Sequence, residues 1–208
     1  MHAGRSYTFT EFLLWTRRPL YLLILLDVAL VALYQLGGLH WLAVPWNVIL
    51  MLGTSVALIA GFKNTQTYNR LWEAQQVWAS ITAASRLWGT MTRDYVNRPE
   101  HNRRLVYRHL AWLTALRYQM RESKPWETQK LMPNVEYRKH YDVPEKVRTL
   151  DAELIKYVSP EERSRILGAT SKATEVLSLQ GAALRQLLDD GVIVQASFAE
   201  LQRVLREL

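Results

Sequence analysis

The feature that most constrains this chain is an apolar run that continues into a charged segment without a helix breaker. Trp46–Phe62 (WNVILMLGTSVALIAGF) contains no Asp, Glu, Lys or Arg, whereas Lys63–Trp78 (KNTQTYNRLWEAQQVW) is charged, amphipathic and basic. The second segment has no Gly or Pro, the residues that most readily end a helix. The pair therefore predicts one continuous helix that leaves a membrane and runs into water.

Two membrane spans can be drawn. The first is Leu20–Leu36, interrupted only by Asp27, and the second is Trp41–Phe62. A helix that crosses the hydrocarbon core needs about 20 apolar residues, so the second span is long enough and the first needs help from its flanks. The alternative is that both are buried core helices of a soluble protein.

The charges that flank the spans predict their orientation. Arg17 and Arg18 precede the first span, Lys63 and Arg70 follow the second, and the connecting loop Gly37–His40 has no Lys or Arg. The positive-inside rule then places both ends in the cytoplasm. We expect a multi-pass inner-membrane protein in contact with lipid. Its predicted parts are a cytoplasmic or interfacial segment 1–19, a transmembrane hairpin 20–62 and a cytoplasmic helical region 63–208. Interfacial aromatic positions are predicted at Trp15, Trp41 and Trp46.

The charge is concentrated beyond the second span. Residues 1–62 contain five charged side chains, so the rest of the chain holds 23 of the 26 Lys and Arg and 17 of the 19 Asp and Glu. The formal net charge of +7 suits an anionic membrane surface or an anion path. No nucleic-acid-binding signature accompanies it, so we expect no nucleic-acid partner. The chain has no Cys, which excludes disulfides and thiolate metal sites.

Past Phe62 the sequence is typical of helices almost throughout. Apolar residues recur at three- and four-residue steps, and Ser159-Pro160-Glu161-Glu162 reads as a helix start in which Glu162 completes a capping box. Nothing is typical of a strand. The predicted order is the second span continuing to about Tyr95, a break at Asn97–Pro99, a helix Leu105–Met120, an irregular loop Glu122–Pro144, a short helix within Pro144–Tyr157, a helix from Ser159 to Asp189-Asp190 ended by Gly191, and a last helix Val192–Leu208.

The sequence around the junction of Trp46–Phe62 and Lys63–Trp78 resembles the signature of the bestrophin family. That family has a Gly-Phe-Arg-Asn sequence that leads into a Tyr, an Arg and a Trp-Glu-Ala run on the second helix. GFKNTQTYNRLWEAQQVW, followed by SRLWG, matches it in register over about 30 residues. The matching positions are Gly61, Phe62, Asn64, Tyr68, Arg70, Trp72, Glu73, Ala74, Trp78, Ser85 and Arg86.

The resemblance implies a pentameric ion channel with a pore on the fivefold axis, lined by the second helix. Animal members conduct chloride and other small anions, and bacterial relatives can prefer monovalent cations. The family's narrow neck falls on Thr54, Leu58 and Phe62. Steps of four place these side chains on one helix face over about 12 Å, and five copies would form stacked apolar rings that gate by dewetting. The alternative is that Leu58 and Phe62 pack against lipid or a neighbouring helix.

The chain departs from the family pattern in three ways. Thr54 places a hydroxyl where an apolar side chain is usual, and Lys63 replaces the usual Arg, keeping the charge without the planar fork. The family fold also has four membrane helices, whereas this chain stops at Leu208 after two. We expect a fragment that ends before the last two spans and before the family's calcium-binding cluster, so we assign no calcium ligands.

Asp27 is the only charged residue inside a predicted span. It is either a functional residue, as an ion or proton site or a partner for a basic group, or a hydrogen-bonded residue that faces the bundle interior. Because a charge at mid-membrane costs about 2.5–3.5 kcal/mol on insertion scales, both readings require a partner.

Little in the sequence supports an enzymatic function. The five His residues are scattered, no HExxH-type pair and no Gly-rich phosphate loop occurs, and we expect no metal and no cofactor. The prediction is an all-α membrane protein, a transmembrane hairpin continuing into a cytoplasmic helical bundle, pentameric about a central pore. It would pass small monovalent ions, with chloride favoured. The alternatives are a sodium or potassium channel of the same fold and a non-conducting membrane-anchored helical adaptor.

Overall fold

The structure is a computed structural model that describes residues 9–122 and 144–208, with the side chains of residues 11, 12, 14 and 15 outside the description. Residues 123–143 of the predicted loop Glu122–Pro144 and the side chain of Trp15 therefore lie outside the described residues. The chain divides into two compact units, Met1–Arg70 and Leu71–Leu208.

The first unit contains helix α1 (Phe9–Gln35), a 3-10 turn (His40–Leu42) and the first half of helix α2 (Trp46–Tyr95). Helix α1 starts earlier than the predicted span and continues through Pro19. The connection needs glycine at Gly38, where φ is 64°, a backbone conformation that other residues adopt only with strain. The predicted second helix is confirmed to its end at Tyr95, and Trp41 belongs to the turn instead of the helix.

Both predicted spans occur as helices that are long and apolar enough to cross a membrane, within Thr16–Gln35 and Trp46–Tyr95. No described side chain of the first unit is buried within the chain. The core helices of a soluble protein would be covered by their own chain, so the soluble alternative does not fit this unit.

The second unit is helical in every regular element that the structure describes. Helix α3 (Pro99–Arg121) begins with proline in its first turn, where the missing N–H costs nothing. Helix α7 (Lys172–Asp189) ends before Gly191, whose φ of 69° confirms its predicted role as a helix stop. The other helices are α4 (Pro144–Val147), α5 (Leu150–Leu154), α6 (Pro160–Gly168) and α8 (Gln195–Glu207).

Helix α7 lies at the centre of this unit and packs against α3, α6 and α8. One apolar cluster joins Trp88 of α2 to Leu105 of α3 and to side chains of α7 and α8. A second cluster joins Trp112 of α3 to Ile166 of α6 and Val176 of α7. Each such large side chain, fully buried, stabilises the fold by about 1.5–3 kcal/mol.

Two sequence predictions were wrong in this unit. The helix expected to run unbroken from Ser159 to Asp189 is two helices, because Ala169 after Gly168 adopts extended backbone (φ −77°, ψ 145°). The short helix expected within Pro144–Tyr157 is also divided, into α4 and α5. In both places the apolar period continues across the break, so periodicity alone gave no signal of it.

Candidate ion pathway

The three predicted neck residues lie on one face of α2, in the part of the helix that belongs to the first unit. Thr54, Leu58 and Phe62 follow one another at four-residue steps within an unbroken helix. Each step rises about 6 Å and turns the side chain by about 40°, so the three form a gently spiralling wall. Leu58 is 61% exposed and Phe62 is 63% exposed. The chain itself therefore leaves most of this wall uncovered.

The hydroxyl groups along α2 are bonded to the helix that carries them. Thr54 Oγ1 donates to the carbonyl oxygen of Leu50 at 2.6 Å, and Ser55 Oγ donates to that of Met51 at 2.8 Å. Thr65 continues the pattern at 3.0 Å to Gly61. Such bonds satisfy the donors where no water is available. The Thr54 hydroxyl thus donates its hydrogen to the helix backbone, and its oxygen lone pairs remain as acceptors.

The signature residues beyond the neck are exposed and spread along α2. Tyr68 and Trp72 are more than half exposed, and Asn64, Arg70 and Glu73 are exposed as well. None of the five forms a hydrogen bond or ion pair with another residue in the described part of the chain. A single chain thus arranges these five residues along α2 but provides no hydrogen-bond or ion-pair partner for them among the described residues.

Asp27 lies on α1 and is exposed, with no hydrogen bond or ion pair among residues 9–122 and 144–208. Its role stays a prediction. Gly53 and Gly61 are two glycines in the apolar part of α2. A Cβ built on either would meet nothing within 4 Å, so this chain supplies no helix at that distance.

A buried ion pair joins α3 to α6 in the second unit. The Glu162 carboxylate accepts hydrogen bonds from Arg104 Nη2 at 2.8 Å and from Arg108 Nε at 3.2 Å, and the Arg108 side chain is 5% exposed. Burial raises the pKa of Glu162, but the hydrogen bonds and charges of Arg108 and Arg104 outweigh burial and hold that pKa below its ordinary value. The predicted capping box is therefore only half formed. Ser159 Oγ accepts from the Glu162 N–H, while the Glu162 side chain turns to the arginines.

A buried histidine lies between two tryptophans of the same unit. The His109 ring is stacked 6.3 Å from Trp88 and lies 5.2 Å from Trp112, between ring centroids. Neither ring nitrogen has a hydrogen-bond partner among the described residues. Burial lowers the pKa of His109 to about 4, so the ring is neutral near pH 7.

Sequence reasoning missed both of these buried polar groups. Glu162 and Arg108 are 54 positions apart, so no local spacing connects them. His109 lies one helical turn from two apolar positions of α3. This placement on the apolar face of the helix was the sequence feature that could have predicted its burial. The part of the chain described by the structure contains no group of three His, Cys, Asp or Glu that could hold a metal ion.

Known proteins similar to this chain were found in sequence and in structure. The family model described as "Bacterial/Fungal Bestrophin protein" matches residues 13–208. A voltage-dependent anion channel-forming protein of Ralstonia nicotianae is 30% identical over 96 residues, which cover 41% of this chain and 30% of that protein.

Two solved structures share the fold. One is an aspartate-to-alanine variant of a bacterial bestrophin homologue from Klebsiella pneumoniae, with a TM-score of 0.71 and 22% identity over 91% of this chain and 62% of that one. The other is a leucine-to-threonine variant of that homologue, with a TM-score of 0.73 and 22% identity over 93% of this chain and 63% of that one. The chain thus spans under two thirds of these structures and under a third of the Ralstonia relative.

Proposed function

We propose, from the premise that this chain belongs to the bacterial and fungal bestrophin family, that it forms the pore of a membrane channel for small monovalent ions. Family membership points to a channel and away from an enzyme. The channel would pass ions down their gradient, with chloride favoured. Because the chain covers only part of its relatives, the activity proposed is that of the whole protein.

One observation carries the mechanism: the apolar wall of α2 is uncovered by its own chain. Leu58 and Phe62 expose 61% and 63% of their surface on one face of a helix long enough to cross a membrane. Arranged around a central axis, copies of this wall would form stacked apolar rings. Such a constriction expels water when narrow and conducts when widened, so it acts as a gate without a moving plug.

We propose that five copies surround this axis. The exposed signature residues support an assembly, because Arg70 and Glu73 carry opposite charges on α2 and neither has an ion-pair partner in the described residues. Trp72 and Tyr68 expose large aromatic surfaces beside them. Aromatic and Arg side chains of this kind are typical of the buried centre of an interface.

Chloride is the favoured ion for two reasons. The Ralstonia relative is named as forming an anion channel, and Lys63 places a positive charge directly after Phe62 on the same helix. Five such ammonium groups at one end of the neck would raise the local anion concentration. The proposed setting is a bacterial inner membrane, with both ends of the hairpin in the cytoplasm as the flanking arginines and lysine suggest.

A monovalent cation channel of the same fold is the second candidate, and Thr54 favours it. Because its hydroxyl hydrogen is donated to Leu50, the oxygen presents lone pairs to the pathway. A ring of such oxygens attracts sodium or potassium and offers no donor to chloride. The charge at Lys63 and the oxygen at Thr54 therefore act in opposite directions.

The channel is tested by measuring chloride efflux from liposomes that contain the full-length protein, together with its stoichiometry in detergent by native mass spectrometry. We expect a discrete pentamer and protein-dependent efflux. A protein without fivefold stoichiometry and without efflux would instead support the non-conducting adaptor. Potassium efflux without chloride efflux would support the cation channel.

A further inference from the structure

The second unit contains a cavity of about 540 Å³ that the ion pathway does not use. It lies where the end of α3, the helices α4 and α5, and the connection before α7 meet. Its lining includes Tyr118 and Arg121 from α3, Lys146 from α4, and Thr170 and Lys172 at the start of α7. Its volume lies within the range of about 300–1,000 Å³ that is typical of small-molecule sites. An ion the size of a water molecule occupies only about 30 Å³, so it would leave most of the cavity unfilled.

The cavity has an excess of positive charge. Arg121, Lys146 and Lys172 line it, and none of the three forms an ion pair with a residue in the described ranges. Two carboxylates also line it, those of Glu122 and Glu145.

The Glu145 carboxylate already has a cationic partner. Its oxygen lies 3.0 Å from Arg117 Nε, and its side chain is only 8% exposed. Arg117 is not itself part of the lining, so three cationic side chains and two carboxylates line the cavity.

The start of α7 adds further attraction for an anion. The N-cap residue Ser171 makes no side-chain bond to a backbone N–H, because its Oγ lies 2.8 Å from Thr174 Oγ1. The positive end of an 18-residue helix therefore opens beside Lys172 and the Thr170 hydroxyl. Gln119 contributes an amide to the same lining.

We propose that this cavity binds a small molecule that carries two or more anionic groups, either carboxylates or phosphates. Lys146 and Lys172 would bind separate anionic groups from different helices, and Arg121 would add a planar pair of donors. The site shares no residue with the proposed ion pathway, so the binding proposal can be tested independently of conduction. Occupied, it would link α3, α4 and α7.

The site is tested by isothermal titration calorimetry of the purified full chain in detergent, at constant ionic strength. Pyrophosphate is the phosphate probe and citrate is the carboxylate probe. We expect saturable binding of at least one probe, with one site per chain. Lys172→Gln should weaken the binding about tenfold, since it removes a charge-assisted contact. The double variant Lys146→Gln, Lys172→Gln should abolish it.

Lys156→Gln is the matched control. Lys156 is an exposed lysine of the same unit, paired with Glu153 at 2.8 Å and absent from the cavity lining. It should leave the affinity unchanged. The two cavity lysines have no partners to lose, so the double variant should unfold at the wild-type temperature. Tighter pyrophosphate binding would identify phosphates as the ligand class, and tighter citrate binding would identify carboxylates. Saturable binding of neither probe, or equal binding by the double variant, would overturn the proposal.

Discussion

At the scale of single residues, this protein accepts buried polar groups whose bonding is incomplete. His109 is the clearest case, since it lies between Trp88 and Trp112 with no hydrogen-bond partner among the described residues. A buried polar group in that state costs about 1–3 kcal/mol. The ring is tolerated because it is neutral, and it stays neutral only above its lowered pKa.

His109 predicts a loss of stability on acidification. The pKa falls from about 6.5 in the unfolded chain to about 4 in the folded one, so between these values the unfolded state binds the extra proton. The stability contributed by the neutral ring is present above pH 6.5 and is lost as the pH falls toward 4. Between pH 7 and pH 5 we expect a loss of about 1–2 kcal/mol from this group.

His109→Phe should remove most of that pH dependence and leave the protein at least as stable at pH 5 as the wild type. The measurement is thermal unfolding in detergent at both pH values. His101→Phe serves as the control, because His101 is only half-buried and makes no ring contact with a tryptophan among the described residues. Equal acid sensitivity in the wild type and in His109→Phe would refute the assignment.

At the scale of elements, the contacts that join helices are the ones that local sequence could not supply. The spacing of apolar residues predicts the unbroken course of α2. The restricted backbone of Pro predicts the start of α3, and the conformational freedom of Gly191 predicts the end of α7. The break at Ala169 could not be predicted in this way, because the apolar residues Ile166, Leu167 and Ala173 keep a helical spacing across it. The pairing of Glu162 with Arg108 required knowing that α6 packs near α3, which depends on the whole unit.

Glu162→Gln tests that contact between α3 and α6. The substitution leaves the almost fully buried Arg108 without its counter-charge, while the amide oxygen still accepts one hydrogen bond. We expect the free energy of unfolding to fall by about 2 kcal/mol, less than for a fully buried pair because Arg104 and part of Glu162 are open to solvent. Denaturant unfolding followed by circular dichroism measures it.

Glu161→Gln is the control on the same helix. Glu161 is exposed and has no ion pair in the described chain, so its loss should change stability by less than about 0.5 kcal/mol. If the two variants lose equal stability, the pair does not hold α6 to α3.

Leu58→Ala tests the apolar wall of α2. Shortening this side chain in every copy widens the ring and weakens dewetting, so the current per channel or the open probability should rise about twofold or more. Leu52→Ala is the matched control, since Leu52 is also 61% exposed but lies about 120° around the helix from Leu58. Single-channel recording measures both. Unchanged currents in Leu58→Ala, or an equal rise in Leu52→Ala, would remove Leu58 from the gate.

At the scale of the whole molecule, the two units of the chain differ in how much of their apolar surface the chain itself buries. The second unit has its own buried core, whereas no described side chain of the first unit is buried by its own chain. The family and the helical fold could be predicted from the signature at Gly61–Trp78, because side chains at fixed spacing identify them. The proposed assembly could not be derived from single-chain packing, since its contacts would lie between copies.

The most direct test of the central claim is a planar-bilayer recording of the full-length protein under a KCl gradient. Leu58→Ala is recorded in parallel, so that a closed neck is not mistaken for the absence of a pore. We predict a current that reverses near the chloride equilibrium potential. Reversal near the potassium potential would contradict the proposed anion preference, and the absence of current from folded pentamers of both proteins would contradict the channel itself.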